Sequence, residues 1–114
     1  MKKLIALIAL WLISVAGMAQ AASHSVTLTW TDASNPAGTT YNVYRAPGLC
    51  SGTPAFSKVG SAVAVKTYTD TTVTVGNYCY QVTAVFSGAE SIPSNLVNPN
   101  VPAFAPTTLT FTVQ

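Results

Sequence analysis

Asn77-Tyr78-Cys79-Tyr80-Gln81-Val82-Thr83-Ala84-Val85-Phe86 is the stretch whose reading decides the fold. Tyr78, Tyr80, Val82 and Ala84 alternate with Cys79, Gln81, Thr83 and Val85, so the two sets point to opposite faces of an extended chain. A sustained period of two, rich in β-branched and aromatic residues, predicts a strand with Tyr78, Tyr80, Val82 and Ala84 in the core. Ser87-Gly88 then supplies a hairpin turn, and the chain returns from Glu90 to Val97 with Pro93 marking an edge position.

The same pattern recurs on the N-terminal side. Ser25-Val26-Thr27-Leu28-Thr29-Trp30 places Val26, Leu28 and Trp30 on one face and Ser and Thr on the other. Asn35-Pro36-Ala37-Gly38 breaks that run, and residues 40–45 resume it with Tyr41 and Val43 as core candidates. Pro47-Gly48 and Ser51-Gly52-Thr53-Pro54 mark a long connection, followed by short strands at 56–59 and 66–70. No segment of residues 22–114 carries a helical period. Short strands between turn signals predict an all-β antiparallel sandwich of the immunoglobulin-like class.

Residues 1–21 read as a secretory signal peptide: Lys2 and Lys3, an apolar run over 4–13, then Ala19-Gln20-Ala21 as a cleavage site. The run is short for a bilayer span, so no membrane insertion is expected after cleavage. The residue after the site is Ala22, not the Cys that a lipid anchor needs. Expected localisation is therefore extracytoplasmic, secreted or periplasmic. The full chain carries a formal charge of +2, but Lys2 and Lys3 leave with the signal. Arg45, Lys58 and Lys66 then face Asp32, Asp70 and Glu90, three against three, for a net charge of zero. A neutral chain offers no electrostatic pull on nucleic acid or anionic lipid, and low charge favours self-association.

Cys50 and Cys79 in an exported chain read as one disulfide. Two free thiols or a metal pair are the competing readings. The second is poorly supplied, because His24 is the one histidine and a structural zinc site needs four ligands.

Taken together, Ser25 to Trp30, Tyr41-Asn42-Val43-Tyr44-Arg45, Tyr68-Thr69-Asp70, Tyr78 to Val85 and Glu90-Ser91-Ile92-Pro93-Ser94-Asn95 resemble a bacterial fibronectin type III domain over about residues 25–98. The resemblance implies that Trp30 is the core tryptophan of strand B. It also implies that Tyr78 is the corner tyrosine of strand F, its hydroxyl bonded back to the preceding loop. Strands C and F are antiparallel neighbours in that family, which would bring Cys50 and Cys79 together. Closing that loop is worth roughly 3–4 kcal/mol on the chain-entropy model. The expected organisation is a signal peptide at 1–21, strands B to G at 22–98, and a Pro-containing linker plus a terminal strand at 99–114.

One departure from the family bears on function. Cleavage would leave only Ala22-Ser23-His24 before strand B, too little for the strand A that closes B's edge in the family. At the other end, Ala105-Pro106-Thr107-Thr108-Leu109-Thr110-Phe111-Thr112-Val113-Gln114 resembles a strand A with Leu109, Phe111 and Val113 on one face. These three residues are the candidate donor-strand residues. Strand A runs antiparallel to B, whereas a tail folding straight back from G would meet its own B in parallel. A linker over 98–105 spans at most ~26–29 Å, barely the height of a sandwich. The geometry favours exchange between molecules, with closure on the same domain as the competing reading.

No catalytic constellation is legible, no cofactor is expected, and the chain reads as non-enzymatic. The carboxylates Asp32, Asp70 and Glu90 fall in separate turn regions, where they are read as ordinary turn residues rather than as calcium ligands. Tyr44 could stack on a sugar, although cross-strand packing is the commoner use of such a Tyr. Three readings stand: a self-assembling structural or adhesive module, a monomeric module binding carbohydrate or a cell-surface protein, and a fragment of a longer array.

Overall fold

A computed structural model describes residues 23–114, so the signal peptide expected at 1–21 lies outside the described residues. Seven strands follow one another: β1 (Val26–Thr29), β2 (Thr40–Pro47), β3 (Ser57–Val63), β4 (Thr67–Asp70), β5 (Gly76–Phe86), β6 (Ala89–Glu90) and β7 (Asn100–Val101). They form two antiparallel layers in a sandwich-like arrangement, consistent with the immunoglobulin-like all-β class. The smaller layer pairs β1 with β4, and the larger runs β3-β2-β5-β6, with β7 on the start of β5. The long β5 is the spine, matched to β2 from Thr40↔Val85 through Pro47↔Tyr78. Among the described residues no helix is long and apolar enough to cross a membrane.

The core lies where the two layers face each other. Val43, Val73, Tyr80 and Val101 are its buried centre, and Val26, Leu28, Trp30, Tyr78 and Val82 pack around them. Tyr41 is also buried and meets Trp30 edge to face at 5.3 Å. Ala84 is only half-buried and lies outside that cluster. Strict alternation fails on β5 because its second face is also covered: Cys79 is fully buried and Thr83 nearly so. Cys79 is roofed by the disulfide loop, and the Thr83 hydroxyl bonds Glu90 at 2.5 Å.

The return strand expected from Glu90 to Val97 is regular only at Ala89–Glu90. Beyond it the pairing continues in discrete bonds, from Ser91 N to Ala84 O and from Ser94 N to Val82 O, both 2.8 Å. Ser91 and Ser94 also accept the Ala84 and Val82 amides on their own hydroxyls at 2.9 and 3.0 Å. Short side chains thus replace carbonyls where Pro93 interrupts a ladder. The chain rejoins β5 at an isolated bridge between Tyr80 and Val97.

Residues 102–114 form no strand. The terminal strand expected over 107–113 is therefore not paired within the single chain. A strand exists only with a partner ladder, and among the described residues none pairs with this segment.

Candidate interaction site at the open edge of the small layer

Among the described residues β1 is hydrogen-bonded on one side only. Its register with β4 runs Val26↔Asp70, Thr27↔Thr69, Leu28↔Tyr68, Thr29↔Thr67. Trp30 N donates to Lys66 O at 3.1 Å, which fixes Trp30, Leu28 and Val26 as the residues whose backbone groups face β4. The N–H and C=O groups of Thr27 and Thr29 consequently face the unoccupied edge. Val26, Leu28 and Trp30 aim their side chains inward yet remain half-buried, because a cleft of about 760 Å³ runs beside them. Residues 26–31 form one wall of this cleft, Tyr80 and Val82 lie in its floor, and residues 97–99 with Ser94 and Asn95 form the far wall.

The far wall is held by a bridge that sequence reasoning missed. Asn98 accepts the Cys50 amide on Oδ1 at 3.1 Å and donates from Nδ2 to Tyr78 O at 2.6 Å. Cys50 and Cys79 form the expected disulfide, with Cα atoms 5.1 Å apart. Ala46, directly opposite Cys79, is fully buried beneath it. The loop after β2, the start of β5 and the 97–99 segment are thereby fastened to one another.

The tail begins at the other end of β1. Phe104 stacks on His24 with ring centres 3.8 Å apart and planes 9° apart, so the chain leaves the fold level with the start of β1. Beyond it, Leu109, Phe111 and Val113 are 93%, 87% and 80% exposed.

The polar groups occupy three separate places. Asp32 accepts from Asn35 Nδ2 at 2.6 Å and Tyr41 Oη at 2.8 Å, and from the Ser34 and Asn35 amides. Those bonds, Asn35 and Tyr41 foremost, hold its carboxyl down at about 2. Glu90 takes hydroxyls from Thr83 and Tyr44 and an amide hydrogen from Asn42, and these also hold it at about 2. Asp70 is buried at the end of β4 and receives Tyr80, Arg45 and Thr72. Among the described residues no three of His, Cys, Asp or Glu gather as a metal site. Asp32 and Asp70 each accept amides of their own turn. All three carboxylates also bind side chains from other strands: Tyr41 on Asp32, Arg45 and Tyr80 on Asp70, Tyr44 and Thr83 on Glu90.

Tyr78 receives the Thr74 amide on its hydroxyl at 2.9 Å, the loop contact expected of it. The Tyr44 hydroxyl is engaged by Glu90 at 2.5 Å, and Lys58 sits 5.9 Å from its ring, so this ring already has neighbours. Missed entirely were the burial of Val73 and Val101 and the Asp70 cluster. Arg45 and Tyr80 are Cα partners across β2 and β5, a pairing that could have pointed to a shared carboxylate. No protein-family model matches this chain, and no curated protein matches it in sequence.

Proposed function

We propose that this chain is an extracytoplasmic, non-enzymatic structural or adhesive module of the fibronectin type III kind that works by associating with further copies of itself. The observation that carries the reading is the tail, which holds Leu109, Phe111 and Val113 almost fully in water. Three such side chains at alternate positions are a row of contacts awaiting a partner, since each is worth roughly 1.5–3 kcal/mol when buried. The zero net charge expected after signal cleavage removes the repulsion that keeps most small domains apart. The disulfide supports an oxidising compartment. Antiparallel pairing of β2 with β5, the Tyr78–Thr74 bond and a missing neighbour for β1 are what the family resemblance leads one to expect of strands C, F and B. Light scattering over a wide concentration range tests the reading. Molar mass should rise with concentration, and a constant monomer mass would reject it.

A further inference from the structure

We propose that the open edge of β1 is the acceptor site for residues 107–113 of a second copy, which dock there antiparallel and fill the cleft with Leu109, Phe111 and Val113. This rests on the self-association proposed above and names its two surfaces.

Direction favours a second copy over the tail of the same molecule. The His24–Phe104 stack puts the tail's origin level with the start of β1. To run antiparallel to β1 the tail must first climb to the level of Thr31. That takes about six residues, roughly 20 Å at strand rise, before any reversal. Leu109 is consumed in the climb, so residues 107–113 cannot dock as one antiparallel strand on their own β1. A direct fold-back reaches β1 only in parallel. A second copy stacked below in the same orientation presents its β1 to the descending tail in the antiparallel sense, with no climb.

The chemistry of both faces agrees. Thr27 and Thr29 offer unused amides and carbonyls, the groups that β-strand addition consumes. On the outer surface Thr27 and Thr29 lie opposite Thr69 and Thr67, with the Thr27 and Thr69 hydroxyls 2.9 Å apart. A docked tail would set Thr108, Thr110 and Thr112 beside this stripe and Leu109, Phe111 and Val113 beneath it, against half-buried Val26, Leu28 and Trp30. Donor and acceptor surfaces differ, so the contact is heterologous and propagates as an open chain of copies.

The test uses the exported full-length protein, its N-terminus read by mass spectrometry, and two variants. Phe111→Asp disables the donor at a side chain that is 87% exposed in the monomer, and should weaken association by about a hundredfold or more. Thr27→Pro removes an edge amide that the fold does not use and disables the acceptor. Each variant alone should be monomeric, and a mixture should form 1:1 pairs and nothing longer. Hydrogen exchange at the Thr27 and Thr29 amides should slow with concentration in the wild type and stay fast in F111D, a readout that stands even where T27P fails to fold. Association that persists in F111D with fast exchange at both amides would overturn this docking mode while leaving self-association intact. A wild type that stays monomeric, with F111D less stable than it, would show closure on the same molecule and overturn both.

Discussion

The hydroxyl of Tyr80, a side chain with no solvent exposure, donates to Oδ2 of Asp70 at 2.7 Å. The bond crosses the seam of the sandwich, since Asp70 ends β4 in the small layer and Tyr80 lies mid-way along β5 in the large one. Arg45 reaches the same oxygen from β2 at 2.8 Å, and Thr72 supplies its amide and hydroxyl to Oδ1 at 3.0 and 2.7 Å. A small sheet of two strands is thereby anchored to the larger one by a carboxylate as well as by apolar packing. Burial alone would push Asp70 up, but the donors from Thr72, Tyr80 and Arg45 outweigh it and hold the carboxyl at about 2. Burial and the Asp70 bond in turn push the Tyr80 phenol well above its ordinary range.

Acid stability should therefore depend on Asp70. Its folded value lies below the unfolded 3.8, so the stabilisation is complete above about pH 4 and is lost as pH falls towards 2. The shift corresponds to about 2 kcal/mol. Asp70→Asn should cost about 3 kcal/mol at pH 7 by stranding Arg45. The gap between variant and wild type should narrow at pH 2. Urea melts at pH 7, 4 and 2 measure this, and a gap that does not change with pH would remove Asp70 from the account. Asp32 and Glu90 titrate in the same direction, Asp32 from a half-buried position and Glu90 from an exposed one.

Reduction of Cys50–Cys79 should lower stability by roughly 3–4 kcal/mol, the loop-closure value for a separation of 29 residues. Urea midpoints with and without reductant give the number. A loss under about 1 kcal/mol would mean that Asn98, already bonded to Cys50 and to Tyr78, holds the loop unaided.

What could be read in the sequence followed from what each side chain needed locally. Tyr78, Tyr80 and Val82 announce β5 through alternation, and turn residues punctuate the strands around it. Cys79, on the supposedly outer face, is buried because a loop 29 residues earlier in the chain is fastened over it. Val73 and Val101 reach the core from a loop and a two-residue strand, where no period exists to reveal them. Asp70 looks like a turn carboxylate until Arg45 and Tyr80 arrive from other strands. The cleft shows the same limit: Leu109, Phe111 and Val113 are legible as a strand face, but the wall at 97–99 depends on Asn98 bridging two distant segments. Pairwise contacts across the sandwich leave no local trace.

Alanine substitutions should rank by how completely each aromatic is enclosed. Tyr80→Ala empties a fully buried site and strips a donor from Asp70, costing about 3–5 kcal/mol. Trp30 stands at the open cleft with one face free, and its loss should cost less, about 2–3 kcal/mol. Tyr44→Ala should cost about 1 kcal/mol, mainly its bond to Glu90. Denaturation midpoints decide the order. A Trp30 variant worse than the Tyr80 variant would mean that the cleft is closed in solution.

Gly60 is the tightest glycine among the described residues. A Cβ there would meet Cε1 of Tyr68 at 2.9 Å, closer than real Cβ contacts come. Two features keep either side from yielding. The Tyr68 ring is fixed at its far end by a hydrogen bond from its hydroxyl to Val59 O at 2.6 Å. Gly60 itself sits between two register shifts where β3 pairs with β2, opposite fully buried Val43. Gly60→Ala should consequently cost about 1–3 kcal/mol by overpacking. Tyr68→Phe removes the tether for about 1 kcal/mol and lets the ring tilt away. In that background the Gly60→Ala penalty should fall by about half or more, because neighbours that share a clash couple rather than add. Urea denaturation of the two single variants and the double variant gives the coupling directly. An equal penalty in both backgrounds would show that the strain lies in the β2–β3 backbone and not in the tyrosine ring.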